Sequence, residues 1–294
     1  MTATTTTLTI TLNNGVRVPW LAFGTGTALY GQDAAEFVRA AIDNGITHLD
    51  GAQMYNNEDT LGAGAKASGK PRSELYFVTK LKALNPGQTV KQALEDSLQK
   101  LGVDHVDLFL IHSPDPANKE GKLKELWKAM EGVQKDGLTK SIGVSNFRVE
   151  DLKEILDDAE IVPAVNQIEL HPYVWKAVEP IVNLGKEHGI VTASYGGLTP
   201  VARVSGGPLD EVLSHIRGRL EKTRGQPVTS GQVLSKWLLQ KGFIVVTTTS
   251  RVSRIREFRD TEDIPDLTSE EIHEIQEIGA KLHKRIYMRH VFGE

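Results

Sequence analysis

The chain has no cysteine among its 294 residues. That excludes a disulfide framework, thiolate catalysis and any Cys-based zinc site. No apolar run approaches the ~20 residues that a membrane helix needs. Residues 1–7 are rich in Thr but have neither a basic region nor an apolar core, so they do not read as a secretory signal. His and carboxylate residues are scattered, without a metal-ligand spacing such as H-E-x-x-H. The dinucleotide fingerprint G-x-G-x-x-G is missing; Gly24-Thr25-Gly26 supplies only half of it. A net charge of −4 argues against general nucleic-acid binding. What remains is an ordinary globular composition, 39% hydrophobic and 24% charged, which excludes disorder as the main reading. The length suits one α/β barrel of about 250 residues, and no low-complexity linker divides it. The expectation is a single soluble, cytoplasmic domain over residues 1–294, with no membrane or nucleic-acid partner.

Hydrophobic patterning gives the order of elements. Leu8 to Leu12 alternates, Asn13-Asn14-Gly15 follows, and Val16-Arg17-Val18 resumes, which is a hairpin signal. Eight short apolar runs then start near residues 20, 47, 75, 106, 141, 164, 190 and 243, each followed by a helical stretch. Val106 to Ile111 is almost continuously apolar, as a parallel strand buried on both faces should be. Thr268-Ser269-Glu270-Glu271 reads as a capped helix start. Eight strict repeats of strand and helix predict a (β/α)8 TIM barrel with an N-terminal β-hairpin outside it. A doubly wound open sheet is the alternative, and the missing fingerprint speaks against it.

In a barrel the chemistry sits where strands end. The runs end at Thr25 and Gly26, Asp50, Lys80, His112, Ser145 with Asn146, Gln167 with Glu169, Tyr195, and Thr247 to Arg251. Singly, each has a dull explanation: a helix cap, a surface charge, a packed core histidine. Tyr55, five residues after Asp50, would by itself be loop packing. Together they suit one task. Hydride reduction of a carbonyl leaves a developing alkoxide that needs a proton. Tyr55 can give it, although a free phenol has a pKa of about 10. Lys80 nearby would favour the phenolate and lower that value. Asp50 would hold Lys80 charged and in place, and His112 would orient the substrate oxygen or help the proton move. No metal is required.

The residues around these ends resemble the aldo-keto reductase family. Leu49-Asp50-Gly51-Ala52-Gln53-Met54-Tyr55-Asn56-Asn57-Glu58 is similar to its Asp and Tyr motif. Val78-Thr79-Lys80-Leu81 and Leu110-Ile111-His112-Ser113-Pro114 are similar to its Lys and His strand ends. Gly143-Val144-Ser145-Asn146-Phe147 and the stretch from Val165 to Tyr173 follow in family order. The resemblance implies Asp50, Tyr55, Lys80 and His112 as the catalytic tetrad. It implies carboxamide binding by Ser145, Asn146 and Gln167, and nicotinamide stacking on Tyr195. Further cofactor contacts are implied at Gly26, Thr27, Leu198, Thr247, Thr248, Thr249, Ser250, Arg251, Arg254 and Glu257. The cofactor would be NADPH, the partner a small carbonyl substrate, and the assembly a monomer or weak homodimer.

Four departures stand out. Tyr195-Gly196-Gly197-Leu198 replaces the family's Tyr-Ser-Pro-Leu, which should loosen that loop. The phosphate-segment Lys falls on Thr248, so Arg251 and Arg254 are expected to meet the 2′-phosphate instead. Tryptophans common in the aldose reductase branch are replaced at Gly26, Lys82 and Ser113. The substrate wall is then expected either from Trp20, Tyr30, Trp175 and a tail carrying Tyr287 and His290, or from elsewhere, with those aromatics serving as plain core and surface packing. Asp50-Gly51-Ala52 replaces Asp-Thr-Ala. The Gly-Thr-Gly-Thr and Thr-rich segments are similar to those of fungal conjugated-polyketone and ketopantoyl-lactone reductases. Two other readings stay open: a nicotinamide-sensing binding protein on the same barrel, and a barrel hydrolase using Asp50 and Glu169 as a carboxylate pair.

Overall fold

Eight parallel strands close on themselves in the computed structural model, which describes residues 8–204 and 206–294. The Thr-rich N-terminus discussed above lies outside the described residues. A hairpin comes first, with strands β1 (Thr9–Thr11) and β2 (Arg17–Pro19). The barrel strands are β3 (Leu21–Gly24), β4 (His48–Asp50), β5 (Tyr76–Leu81), β6 (Val106–Ile111), β7 (Thr139–Ser145), β8 (Val165–Glu169), β9 (Val191–Tyr195) and β10 (Ile244–Thr247). They pair in chain order, and β10 closes the ring on β3 with Val246 opposite Ala22. The (β/α)8 barrel and the hairpin read from the sequence are both present.

Strand alternation builds two cores. Outward residues such as Phe77, Phe109, Ile142 and Ile168 pack under the surrounding helices. Inward residues Tyr76, Val78, Leu108, Leu110, Val165, Ala193 and Ile244 fill the barrel. The hairpin belongs to the inner set, through Leu12 and Val18. Asn13 Nδ2 donates to the Pro163 carbonyl at 3.0 Å and Asn14 Nδ2 to Ser141 Oγ at 2.9 Å. The hairpin therefore plugs the N-terminal mouth and leaves the other mouth open.

Helix starts behave as the sequence suggests where a capping box is present. Thr268 accepts the Glu271 N–H at 3.2 Å while Glu271 Oε2 accepts the Thr268 N–H at 2.9 Å, opening the helix Ser269–Gly279. Two short helices have no counterpart in the pattern analysis, Asp115–Glu120 and Thr199–Ala202. Each spans less than two turns, too short to show a 3.6-residue period. Pro116 and Pro200 sit in their first turns, where the missing N–H costs nothing.

The barrel interior is tight at Gly143. A Cβ there would lie 2.5 Å from the Val165 carbonyl oxygen and 2.9 Å from Leu110 Cδ2. The first neighbour is backbone of the adjacent strand and cannot step aside. Gly143→Ala is expected to lower the unfolding free energy by about 1–3 kcal/mol, the usual cost of overpacking. Urea denaturation followed by circular dichroism measures it.

Candidate active site

The open mouth collects one polar residue from strand after strand, for a geometric reason. Inward positions recur every second residue. Tyr76 and Val78 are inward on β5, so Lys80 is next; Leu108 and Leu110 are inward on β6, so His112 follows. His48 precedes Asp50 on β4 in the same way, Val165 precedes Gln167 on β8, and Ala193 precedes Tyr195 on β9.

Lys80 is fully buried, yet its ammonium is answered on every side. It donates to Asp50 Oδ1 at 2.5 Å, to the Gly51 carbonyl at 2.8 Å and to the Tyr55 hydroxyl at 3.3 Å. Asp50 Oδ2 accepts from Gln167 Nε2 at 2.8 Å, so both carboxylate oxygens are engaged. Burial pulls the Lys80 ammonium below its ordinary range, and the Asp50 charge and hydrogen bond oppose that pull. Burial also holds the Tyr55 phenol well above the ordinary range, with the Asp50 carboxylate and Tyr30 adding to the rise. The expected lowering by Lys80 is not seen. The ammonium is matched by Asp50 at contact distance, so Tyr55 faces a nearly neutral pair rather than a bare cation. The phenol stays protonated, as a proton donor should. His112 packs edge-on against the Tyr55 ring, centroids 5.5 Å apart. Burial, helped by Lys80, drives its imidazole down to about 3, so the ring is neutral around pH 7.

Tyr55 is aimed by its own loop. Gln53, just before it, donates to the Ala93 carbonyl and to Ser97 Oγ, and accepts the Lys82 N–H at 3.0 Å. Asn56 turns the chain in the left-handed region at φ 54°, a conformation Asn tolerates. Asn57 Nδ2 then ties the turn to the carbonyls of Thr25 and Leu29.

The hydroxyl of Tyr55 opens into a cavity of about 690 Å³, within the usual range for small-molecule sites. Its walls carry Asp50, His112, Ser145, Asn146, Gln167 and Tyr195 beside Tyr55. Tyr195 donates to Asn146 Oδ1 at 2.6 Å; Asn146 Nδ2 donates to the His112 carbonyl and Ser145 Oγ; Ser145 donates to the Gln167 carbonyl at 2.7 Å. Residues 20–280 match the profile described as the Aldo/keto reductase family.

The chain belongs to the aldo/keto reductase family.

Across 285 residues it is 38% identical to a Schizosaccharomyces pombe protein named NAD/NADP-dependent indole-3-acetaldehyde reductase, covering 94% of this chain and 97% of that one. It is 38% identical to the Bacillus subtilis glyoxal reductase over 240 residues, 81% of each chain. The Saccharomyces cerevisiae NADPH-dependent alpha-keto amide reductase is 33% identical over 259 residues, 82% of this chain and 81% of that one. Among solved structures, an aldo/keto reductase from Brucella melitensis superposes with a TM-score of 0.79 at 30% identity, covering 93% of this chain and 100% of that one. This reductase is thus an oxidoreductase of a family that uses nicotinamide cofactors.

The rest of the wall can be compared with the residues named from sequence. Gly26, Thr27, Leu198, Thr247, Thr248 and Arg254 line the same cavity. Thr249, Ser250, Arg251 and Glu257 do not. The Thr249 hydroxyl accepts the Arg251 N–H at 3.1 Å, and Arg251 caps the helix Val252–Arg259. Glu257 accepts from the Thr229 hydroxyl at 2.7 Å, bracing the helix Ser230–Gln240. Trp20 and Trp175 are core residues, not substrate wall: Trp20 is buried against Glu262, and Trp175 packs edge-on to Trp237. Tyr30 and Tyr287 do reach the cavity; His290 instead lies 3.5 Å from Asp115. Sequence reasoning missed Met54, Arg203 and Met288 on the wall. Met54 adjoins Tyr55 in the diagnostic stretch, so it was within reach. Arg203 follows the short helix of an irregular loop and had no signal.

The carboxylate pair offered for hydrolysis is already consumed. Asp50 is held as above. Glu169, fully buried, accepts from Ile286 N–H at 2.9 Å, Tyr287 N–H at 2.8 Å and His171 Nε2 at 3.0 Å. Its role is to fasten the C-terminal tail, whose Tyr287 ring meets Tyr195 edge-on at 5.7 Å.

The Asp50–Lys80 pair has a stability signature. Lys80→Met leaves Asp50 as a buried charge without its partner, and should destabilise the fold by about 3–5 kcal/mol. Adding Asp50→Asn to that variant should return most of the stability without restoring turnover. Thermal unfolding and activity of Lys80→Met, Asp50→Asn and the double variant test the pair as a cycle.

Proposed function

We propose that this protein reduces carbonyl compounds to alcohols with NADPH, Tyr55 being the proton donor. The observation that carries the reading is the contact chain Asp50–Lys80–Tyr55, 2.5 Å and 3.3 Å, ending in the cavity beside a neutral His112. The substrates in view are aldehydes, α-keto compounds and diketones. The relatives' names support that range, since they include an indole-3-acetaldehyde reductase, a glyoxal reductase and an alpha-keto amide reductase.

The donor set fits a nicotinamide nucleotide. Gln167 spends its Nε2 on Asp50, and no donor among the described residues takes its Oε1, which leaves an acceptor for a carboxamide NH2. The Asn146 amide hydrogens are both used, but Asn146 Oδ1 has a second lone pair. The Tyr195 ring supplies an apolar face in the same wall. Thr248 and Arg254 line it too, with Arg203 nearby, giving hydroxyl and guanidinium groups for phosphate oxygens. When bound, the reduced cofactor supplies the hydride. The protein's residues do the rest. The neutral His112 can donate a hydrogen bond to the substrate oxygen and hold it beside Tyr55. As negative charge develops on that oxygen, the phenol proton moves to it, and the phenolate left behind is stabilised by the Lys80 ammonium. Asp50 fixes that ammonium but stays charged throughout.

Tyr55→Phe should keep the fold and cofactor binding while losing about 10²–10⁴-fold in kcat, the usual worth of a positioned general acid. Loss of reduced-nicotinamide absorbance with an aldehyde reports it, and near-normal turnover would remove Tyr55 from the mechanism.

The preference for NADPH rests on Arg254, the one of the two expected arginines that lines the cavity. A hydrogen bond to a charged group is worth about 1.5–3 kcal/mol, so Arg254→Ala should weaken NADPH roughly tenfold or more. NADH, lacking the 2′-phosphate, should change little. Fluorescence titration of each cofactor against wild type and variant separates the two.

A further inference from the structure

We infer that Glu58 and Thr79 are positioning residues for the proton transfer, their hydrogen bond holding the Tyr55 turn in register with Lys80. This rests on the reading of Tyr55 as proton donor and adds what sets its distance from the ammonium. The register of β4 with β5 ends at Asp50 opposite Val78, and the Gly51 N–H on the Val78 carbonyl at 2.9 Å follows it. Beyond that point side chains join the two segments. Gln53 Oε1 accepts the Lys82 N–H at 3.0 Å. The Thr79 hydroxyl donates to Glu58 Oε1 at 2.5 Å. Gln53 and Glu58 stand on either side of Tyr55 in the chain, as Thr79 and Lys82 stand on either side of Lys80. The contact of Lys80 with the Tyr55 hydroxyl, 3.3 Å, therefore lies between two ties.

A contact that only held the fold would not need a carboxylate. Thr79 alternates with the inward Val78 and Lys80, so its side chain faces the helix layer, under the helix Glu58–Ala67. Glu58 is 3% exposed there. Burying a carboxylate costs more than burying an apolar side chain of like size. Among the described residues its one ion-pair partner is Lys100 at 3.8 Å, on a side chain 56% exposed, and such a pair returns little. Glu58 is the first residue of its helix, where the dipole favours negative charge. What the carboxylate supplies is a charge-assisted hydrogen bond, roughly twice as strong as a neutral one, aimed at the residue before Lys80. Against the pull of burial, its charge also joins that of Asp50 in favouring the Lys80 ammonium. Asn57 fixes the turn to Thr25 and Leu29 on one side, and Glu58 fixes it to β5 on the other. Such bracing matters because a misplacement of about 1 Å costs on the order of 100-fold in rate.

The test measures turnover of propanal with NADPH in the full chain. Thr79→Val removes the hydroxyl and keeps the shape, and should lower kcat by roughly 10- to 100-fold. KM for propanal and the Kd for NADPH should move far less, because neither ligand meets Thr79. Thr79→Ser restores the hydroxyl and should recover most of the lost kcat. Glu58→Gln weakens the same bond from the other side, and should lower kcat about three- to tenfold with the same split from KM. It serves if the valine variant does not fold. The deciding measurement is Thr79→Val made in a Tyr55→Phe background. With no phenol to place, it should change the residual rate by less than about twofold. A folded Thr79→Val enzyme with wild-type kcat overturns the inference, and so does a full loss repeated in the Tyr55→Phe background, which would mark a general distortion. Either result leaves Tyr55 as the donor if Tyr55→Phe alone is impaired. Near-normal turnover of Tyr55→Phe removes the donor reading and this inference together.

Discussion

An ammonium taken wholly out of water has to be answered by opposite charge, and at Lys80 Asp50 provides it. The cost of burying either ion alone runs to several kcal/mol, more than most single contacts in the barrel can offset. The pair survives because the remaining valences are filled: Lys80 by the Gly51 carbonyl and the Tyr55 hydroxyl, Asp50 by the Gln167 amide. Three strands and the loop after β4 are thereby tied at one point. A small shift of any of them would leave a charge without a partner. The pair therefore acts as a gauge of the open mouth, and in the proposed reaction it would also stabilise the phenolate that Tyr55 leaves behind.

That double role settles how the phenol is tuned. A nearby cation alone would make Tyr55 a stronger acid from the outset. In this arrangement Asp50 cancels most of the field, while burial favours the neutral phenol. The stabilisation is then largely local and directional: a hydrogen bond from Lys80 that strengthens as charge appears on the oxygen. In the proposed reaction such an arrangement would bind the developing state better than the resting one, which is the condition for catalysis. His112 follows the same logic. Its burial keeps it neutral, so it can orient an oxygen without placing a competing positive charge beside Lys80.

The parts of this site that were legible in the sequence share one cause. Strand alternation forces every second residue inward, so the last inward residue of an apolar run has to be the one at the mouth. Asp50, Lys80, His112 and Tyr195 are such residues, whereas Gln167 is followed on the same face of β8 by Glu169, so two polar residues end that run. Residues set by loop geometry obey no such period. Arg203 reaches the cavity from a segment whose short helix is one turn long, and Met288 from a tail bent through φ 49°. Aromatic content alone does not separate wall from core. Trp20 and Trp175 are large and lie near strand or helix starts, but size favours burial, and their indoles are spent in the core. Glu257 and Arg251 illustrate a third case. Arg254 and Phe258 of the same helix line the cavity, while Arg251 stands at its start and Glu257 is spent on the Thr229 hydroxyl.

Glu169 shows how a barrel can control its mouth from below. A carboxylate buried at the end of β8 would be costly if unpaired, and the tail supplies two of its donors as backbone N–H groups at Ile286 and Tyr287. Backbone donors survive every side-chain change except one to proline, so the attachment tolerates most sequence change along the tail itself. What the tail presents at that point can then vary: here Tyr287 meets the Tyr195 ring and Met288 lines the cavity. Asp50 and Lys80 sit on strands, Tyr55 on the short turn that follows β4 and His112 just past the end of β6, while Arg203, Tyr287 and Met288, which shape the space above them, sit on a loop and on a tail pinned by backbone bonds. A barrel built so can change which carbonyl compound it admits without disturbing the buried pair beneath.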